Sequence, residues 1–187
     1  MRNAGSFVTA LALLCAGCAG DARSVAAPSA ARQTMPAYRL AADDKVKITV
    51  YGEDTLTGEY LVGSDGTISF PLIGMVKAGG LTLAELQAAL AQRLGTGYLN
   101  DPKVNADIVE YRPFYILGEV NKAGQYPYRV GMTVNAAVAT AGGFTYRANH
   151  RTVAIQHFGE AGERKYQLTS DLPVLPGDTV RVLERFF

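Results

Sequence analysis

Tryptophan is absent from this chain of 187 residues, and so is an excess of charge of either sign. Lysine and arginine number 18 against 17 aspartate and glutamate residues, which gives a formal net charge of +1. Proteins that bind nucleic acid draw much of their affinity from basic side chains that contact the phosphate backbone. No basic patch stands out along this sequence, so we expect no nucleic acid as a partner.

Cysteine and histidine, which often ligate metals or carry out catalysis, are scarce. The two cysteines are Cys15 and Cys18, and the two histidines are His150 and His157. The chain contains neither the H-E-x-x-H pattern of zinc proteases nor the G-x-S-x-G turn of serine hydrolases. We therefore expect no catalytic residue, no metal site and no cofactor.

Carboxylate pairs are the remaining source of catalytic chemistry, because two carboxylates suffice for a glycosidase. The candidates are Asp43 with Asp44, Glu53 with Asp54, and Asp65. Asp43 and Asp44 precede a strand, and Asp65 precedes a glycine in a turn, which are ordinary structural uses of aspartate. The structural interpretation is favoured, and a glycan-processing enzyme remains the weaker alternative.

The chain has no long hydrophobic run, but a short one lies near its start. Arg2 is followed by apolar residues 7–14, too few to span a bilayer, which takes about 20. Ala16 and Gly17 then precede Cys18, as in bacterial lipoprotein signals that are cut before an acylated cysteine. We predict a signal peptide over residues 1–17, lipidation at Cys18 and a flexible tether over 18–36. An ordinary secretory signal is the alternative.

The residue after the predicted cleavage site bears on localisation. Aspartate at that position commonly retains a lipoprotein at the inner membrane of a Gram-negative cell, and this chain has Ala19. We therefore expect a lipid anchor in the outer membrane, at its periplasmic face. Acylation of this kind holds a protein stably, because two lipid chains already suffice.

Residues 37–112 are predicted to form a small α+β domain. Residues 45–50 and 104–108 alternate apolar and polar side chains, as half-buried strands do. Residues 60–62 and 67–70 flank Asp65-Gly66, which predicts a β-hairpin. Residues 81–94 carry a leucine stripe that predicts a helix, with a capping box from Thr82 and Glu85 and a C-terminal cap at Gly95.

Residues 113–187 are predicted to form a second, β-grasp-like domain, so the fold class is α+β. Residues 114–120, 153–157 and 180–182 predict strands. Residues 133–141 predict a short helix that a Gly-Gly pair ends, and Gly124 and Gly131 predict turns. His157 follows the alternation of its strand, where a structural histidine is more common than a catalytic one.

The start of the first strand is echoed near the C-terminus. Residues 40–48 parallel residues 175–182, and each segment places an acidic turn directly before an alternating strand. Duplication and convergent turn chemistry both explain such an echo, and the sequence leaves the two open.

The order of these segments resembles a known family. Residues 38–50, 60–74, 80–86 and 101–104 resemble the polysaccharide biosynthesis/export domain, and residues 118–143 resemble the SLBB domain that follows it. The matching motif residues are Asp65, Gly66, Pro71, Gly74, Gly118, Gly142, Gly143, Gly177 and Asp178. The family usually has Pro-Gly-Asp where this chain has Ala41-Ala42-Asp43, and residues 176–178 keep that form. The chain resembles a short member of the outer-membrane polysaccharide export family, without the C-terminal transmembrane helix of long members.

The resemblance implies a function in transport. Family members form ring-shaped homo-oligomers in the periplasm, through which capsular polysaccharide or exopolysaccharide leaves the cell. The implied partners are the polysaccharide polymer and an inner-membrane polysaccharide co-polymerase or chain-length regulator. The motif residues are expected to shape the backbone. A monomeric outer-membrane lipoprotein that binds glycan or peptidoglycan is the alternative.

Overall fold

The computed structural model describes residues 37–185, which belong to one compact unit. The predicted signal peptide, the predicted lipidation at Cys18 and the predicted tether all lie outside the described residues. Within residues 37–185, neither α-helix is long and apolar enough to cross a membrane.

The described residues form ten strands, two α-helices and one 3-10 helix. The strands are β1 Lys45–Val50, β2 Gly58–Leu61, β3 Thr67–Phe70, β4 Gly74–Lys77, β5 Val104–Glu110, β6 Phe114–Gly118, β7 Gly124–Tyr126, β8 Ala148–Gln156, β9 Arg164–Gln167 and β10 Thr179–Glu184. The helices are α1 Leu83–Gly95 and α2 Val134–Thr140, and the 3-10 helix is Asp54–Leu56.

The first sheet has three antiparallel strands in the order β2-β1-β5. Its central strand confirms the prediction for residues 45–50, because Val46, Ile48 and Val50 are buried while Lys47 between them is exposed. β5 confirms the strand predicted over residues 104–108. The alternation of apolar and polar side chains in the sequence thus identifies the buried face of each strand correctly.

The predicted hairpin across Asp65-Gly66 is wrong. β2 pairs with β1, whereas β3 pairs with β4, with Ile68 opposite Val76. Asp65 and Gly66 do form a turn, but that turn leads from one sheet to the next. Alternation shows which side chains of a strand are buried and does not identify its neighbour, so the sequence reasoning missed β4.

Helix α1 confirms the predicted helix and its capping box. The hydroxyl of Thr82 accepts from the N–H of Glu85, and the Glu85 carboxylate accepts from the N–H of Thr82 at 2.7 Å. Three leucines of the predicted stripe, Leu86, Leu90 and Leu94, are fully buried.

The end of α1 differs from the prediction. Gly95 lies inside the last helical turn, and Gly97 is the residue with positive φ, at 100°. The N–H groups of Tyr98 and Leu99 donate to the carbonyl of Leu94 and close the helix beyond Gly95. The predicted cap at Gly95 is therefore two residues too early.

The second sheet contains β6 to β10, in the order β7-β6-β10-β8-β9. β10 lies at its centre, parallel to β6 and antiparallel to β8. Parallel neighbours need a crossover connection, and the chain between β6 and β10 includes α2. Because the first and last long strands are parallel at the centre, the order is that of a β-grasp-like sheet, and the α+β class is confirmed.

Several boundaries in the second sheet differ from the predictions. β6 ends at Gly118 and not at residue 120, and β8 ends one residue before His157. Gly124 begins β7, where a turn was predicted, because residues 124–126 pair with β6. β7 and β9 have three and four residues, too short to show a clear alternation.

Helix α2 confirms the short helix predicted over residues 133–141. Thr133 caps its N-terminus, and Val134, Ala137 and Val138 are buried. Gly142 and Gly143 follow with φ of 81° and 90°, so they end the helix as predicted. Gly131 has a φ of 81° and lies in a turn, also as predicted.

Two hydrophobic clusters fill the molecule, one on each side of residues 111–113. The first draws its buried side chains from residues 40–106 and the second from residues 114–182. We call residues 37–110 the N-terminal half and residues 114–185 the C-terminal half. Each half has its own sheet around β1 or β10 and one helix against it.

We expect Thr82→Ala to lower the free energy of unfolding by about 1 kcal/mol, because the substitution removes the hydroxyl that accepts from the N–H of Glu85. Chemical denaturation followed by circular dichroism measures the change. Thr169→Ala is the matched control, because Thr169 is exposed and lies outside the helices. Equal stability of the two variants would contradict the capping role.

Candidate functional site

The motif residues Asp65 and Gly66 form a turn closed by side-chain hydrogen bonds. The Asp65 carboxylate accepts from the hydroxyl and the N–H of Thr67, at 2.8 and 3.0 Å. The Thr67 hydroxyl and then the Thr67 N–H hold the pKa of this exposed carboxyl below its usual value. Gly66 has a φ of 74°, and a Cβ on Gly79 would lie 2.9 Å from its Cα. The motif therefore fixes the close contact of two backbones.

Pro71 and Gly74 frame the tip of the β3–β4 hairpin. Gly74 has a φ of 69°, and Leu72 between them has a φ of 67°, which is uncommon for a residue with a side chain. Leu72 is also more than half exposed. These residues shape the turn and present an apolar side chain at the surface.

Gly118 lies where two parallel strands meet. It has a φ of 85°, and a Cβ at this position would overlap the carbonyl oxygen of Val182 on β10. The next residue, Glu119, donates its N–H to that same carbonyl at 3.0 Å. Only glycine combines this backbone angle with so close an approach.

Gly142 and Gly143 accept hydrogen bonds from the segment that follows β6. Asn121 donates its N–H to the carbonyl of Gly143 and its side-chain amide to the carbonyl of Gly142. These hydrogen bonds connect the C-terminal end of α2 to the segment that leaves β6 of the second sheet. None of the four glycines at 118, 142, 143 and 66 provides a ligand, so their role in these contacts is to shape the backbone.

Asp44 is fully buried at the start of β1, and its carboxylate is saturated with hydrogen bonds. Oδ2 accepts from the N–H of Ala41 at 2.8 Å, and Oδ1 accepts from the N–H of Arg112 at 2.9 Å. The hydroxyl of Tyr38 lies 2.7 Å from both oxygens. Burial, and then this hydrogen bond, raise the pKa of Tyr38.

Asp178 occupies the equivalent position at the start of β10. It is fully buried, and its Oδ2 accepts from the N–H of Leu175 at 2.8 Å, as Asp44 accepts from the residue three before it. Its Oδ1 lies 3.0 Å from Nδ1 of His157, whose Nε2 lies 3.1 Å from the Tyr166 hydroxyl. Burial raises the pKa of Asp178.

The echo between the two strand starts is thus a structural equivalence, with one change of register. Asp44, and not Asp43, corresponds to Asp178. Asp43 has a φ of 69° and corresponds to Gly177, whose φ is 82°. The family's Pro-Gly-Asp therefore falls on Ala42-Asp43-Asp44, one residue later than the sequence comparison placed it.

Arg112 connects the two aspartate turns across the junction between the halves. Its Nη1 lies 3.4 Å from Oδ2 of Asp44, while its Nε donates to the carbonyl of Pro176 at 3.0 Å. The guanidinium lies 4.1 Å from the centre of the Phe158 ring and 5.4 Å from that of Tyr38. The side chain is only 11% exposed, so the pair is shielded from water.

At Gly177, Arg112 and Phe158 leave no room for a side chain. A Cβ there would lie 2.7 Å from Nε of Arg112 and 2.9 Å from the Phe158 ring. Tyr111 adds an edge-on aromatic contact to Tyr38 on one side and to Tyr128 on the other. We call the residues around Arg112 the junction cluster: Tyr38, Asp44, Tyr111, Arg112, Tyr128, His157, Phe158, Gly177 and Asp178.

The sequence reasoning named Asp44, His157, Gly177 and Asp178 separately, and missed Arg112. An arginine next to a proline between two strands carries no signal of its own, because its partners lie more than 60 residues away in either direction. A weak signal existed in the repeated aspartate turn, since a buried carboxylate requires a partner.

The chemistry of the junction cluster is that of a structural contact. Both carboxylates are closed in by donors, which leaves no open position for a substrate. Within residues 37–185, no group of three or more His, Cys, Asp or Glu side chains is arranged to hold a metal ion. The Asp65 turn and the Asp44 turn likewise use their carboxylates in backbone hydrogen bonds.

Two family models match the chain in succession. The polysaccharide biosynthesis/export protein model covers residues 32–109, and the SLBB domain model covers residues 113–168. The chain belongs to the outer-membrane polysaccharide export family. The border between the matched segments falls at residues 110–112, and it includes Arg112, which contacts both halves.

Curated relatives agree with this assignment. The exopolysaccharide production protein ExoF of Rhizobium meliloti (strain 1021) is 30% identical, over 89% of this chain and 42% of its own length. The EPS I polysaccharide export outer membrane protein EpsA of Ralstonia nicotianae is 25% identical, over 89% of this chain and 46% of its own length. The polysialic acid transport protein KpsD of Escherichia coli is 28% identical over 49% of this chain. The chain spans less than half the length of these relatives.

We expect Gly118→Ala to destabilise the protein by about 3 kcal/mol or more, because it combines positive φ with a steric overlap at the Val182 carbonyl. Denaturant unfolding measures the loss. Gly124→Ala is the matched control, because a Cβ there meets nothing within 4 Å and its φ is not positive. A Gly118→Ala protein as stable as the control would show that β6 and β10 are not held this closely.

Proposed function

We propose that this protein is a subunit of an assembly that exports exopolysaccharide or capsular polysaccharide from the cell. The observation that carries the proposal is the succession of the export and SLBB domains over most of the chain. The names of the relatives refer to production, transport or export of polysaccharide. We further propose a domain border at residue 112, so that the export domain spans 37–112 and the SLBB domain 113–187.

The subunit acts as part of a conduit and not as an enzyme. Two of the candidate carboxylates are occupied in the structure: Asp44 is buried with four donors, and Asp65 binds Thr67. A glycosidase needs two carboxyl groups facing a sugar, one of them free to give up a proton. Export of a polymer requires a shaped and rigid passage, and the motif glycines and the junction cluster favour rigidity.

The subunits assemble into a ring. Leu72 and Met75 on the β3–β4 hairpin, and Tyr51 at the end of β1, are each more than half exposed. In the proposed ring, the exposed apolar side chains of the β3–β4 hairpin contact a neighbouring subunit. A head-to-tail contact between unlike surfaces of identical subunits closes into a ring when the rotation allows it. The number of subunits follows from that rotation.

Attachment to the membrane is through lipid at Cys18, on the periplasmic side of the outer membrane. EpsA is named as an outer membrane protein, which supports this location. An inner-membrane polysaccharide co-polymerase or chain-length regulator delivers the polymer to the ring. As a flexible tether, the sixteen residues 21–36 would reach roughly 20–25 Å from the membrane.

The ring is tested by the mass of the detergent-solubilised full chain, from native mass spectrometry or light scattering. We expect a defined homo-oligomer, alone or with the co-polymerase. A strict monomer under both conditions would contradict the ring and favour the monomeric glycan-binding lipoprotein. Deletion of the gene separates the two further, because loss of surface polysaccharide is expected only for the export subunit.

We expect Cys18→Ser to release a folded, soluble protein from the membrane and to reduce surface polysaccharide, because the variant lacks the acylated thiol. Membrane fractionation and a polysaccharide assay measure the two effects. Cys15→Ser is the matched control, since Cys15 belongs to the predicted signal peptide and is removed with it. Membrane retention of Cys18→Ser in cells without the partner proteins would contradict the lipid anchor.

A further inference from the structure

The junction cluster buries more negative charge than positive charge. Asp44 and Asp178 are each fully buried, in the N-terminal and C-terminal halves. Arg112 is the permanent cation between them, and it forms its ion pair with Asp44. Asp178 has no such partner among the arginine and lysine contacts of the described residues. Burying a net charge is costly, so the cluster gains stability from a second positive charge or from a proton.

His157 is placed to supply that charge. Its Nδ1 lies 3.0 Å from Oδ1 of Asp178, and its Nε2 lies 3.1 Å from the hydroxyl of Tyr166, which accepts a hydrogen bond as readily as it donates one. The side chain of His157 is 25% exposed, so a proton can reach it from solvent. Histidine is the side chain whose charge ordinarily changes between pH 5 and 8.

The other titratable and charged groups near this pair are three tyrosines and the Arg112–Asp44 ion pair. Tyr166 faces it from β9, Tyr128 from the loop after β7, and Tyr38 beyond Arg112 from the N-terminal half. Burial raises the pKa of both Tyr38 and Tyr128, which keeps them neutral. Arg112 stays charged, and Asp44 is its ion-pair partner. The Asp178–His157 pair is therefore the part of the cluster whose charge Arg112 does not balance.

The pair is also connected to the contact between the halves. Asp178 is next to Gly177 and two residues after Pro176, whose carbonyl accepts from Nε of Arg112. His157 is next to Phe158, whose ring lies 4.1 Å from the guanidinium of Arg112. A shift of either member of the pair moves a group that holds Arg112, and Arg112 holds Asp44 of the N-terminal half.

We propose that the junction cluster is a proton-dependent latch between the two halves, closed when the Asp178–His157 pair carries a proton and looser when the proton leaves. With the proton, the two carboxylates are balanced by Arg112 and by the charged imidazole or the neutral carboxyl. Without it, one negative charge stays buried. The proton belongs to the pair as a whole, since the two groups titrate together.

The direction of the pH dependence follows from where the proton binds more tightly. Burial raises the pKa of Asp178, so the closed state favours its protonated form. The closed state therefore binds more protons than the open or unfolded state. This contribution to stability is present at mildly acidic pH and is lost as the pH rises.

Unfolding of the full chain in detergent, measured by urea denaturation at several pH values from 4 to 8, tests the latch. We expect the folding constant of the wild type to fall as pH rises, by at most about tenfold per pH unit for one proton. His157→Gln keeps a donor toward Asp178 but takes the imidazole out of the pair, so this slope should decrease, and His157→Gln combined with Asp178→Asn should abolish it. His150→Gln is the matched control, because His150 is exposed and packs on Phe144. An unchanged slope in His157→Gln would overturn the proposal.

A second measurement separates a latch from a local titration and does not depend on the stability of the His157 variant. NMR resolves the C2 protons of both histidines, and His150→Gln assigns them. We expect the titration of His157 to be accompanied by shifts of the Arg112 and Asp44 amides, and Arg112→Met to abolish the shift at Asp44. A titration confined to the C-terminal half in the wild type would overturn the proposal. Neither experiment depends on polysaccharide export, so failure of the proposed function leaves both readouts intact.

Discussion

The ion pair of Asp44 with Arg112 is the contact on which the arrangement of the two halves depends. A carboxylate that is fully buried costs several kcal/mol unless donors surround it. Three of the donors here belong to residues 38–41 or to the backbone at residue 112, and the guanidinium supplies the last. If Arg112 moved away with the C-terminal half, Asp44 would lose two of its four donors. Arg112 lies between the halves and is bonded to both, so it transmits the position of one to the other.

The family motif acquires a physical meaning from these contacts. Gly66, Gly118 and Gly177 are each at a point where another group leaves no room for a Cβ or where φ is positive. Asp65 and Asp178 accept hydrogen bonds from nearby backbone N–H groups. The motif thus specifies a shape. In the proposed function, a defined shape is what a passage for a polymer would require.

Side chains that qualify as catalytic by residue type have structural contacts in this protein. Its carboxylates serve turns, strand starts and the junction. Its aromatic side chains Tyr38, Tyr111 and Tyr128 serve contacts between the halves. A shape maintained by a buried, imperfectly balanced set of charges is sensitive to protons.

The sequence by itself determined the class of the fold, the buried face of β1, the capped helix α1, the glycine stop after α2 and the succession of the export and SLBB domains. These features depend on residues that are close together in the chain, so a local pattern encodes them. Only the tertiary structure decided that β3 pairs with β4, that β7 and β9 exist, that Asp44 and not Asp43 matches Asp178, and that Arg112 joins the two turns. Each of these depends on a partner that is distant in the chain or on a strand too short to show a period, and burial in three dimensions selects the partner.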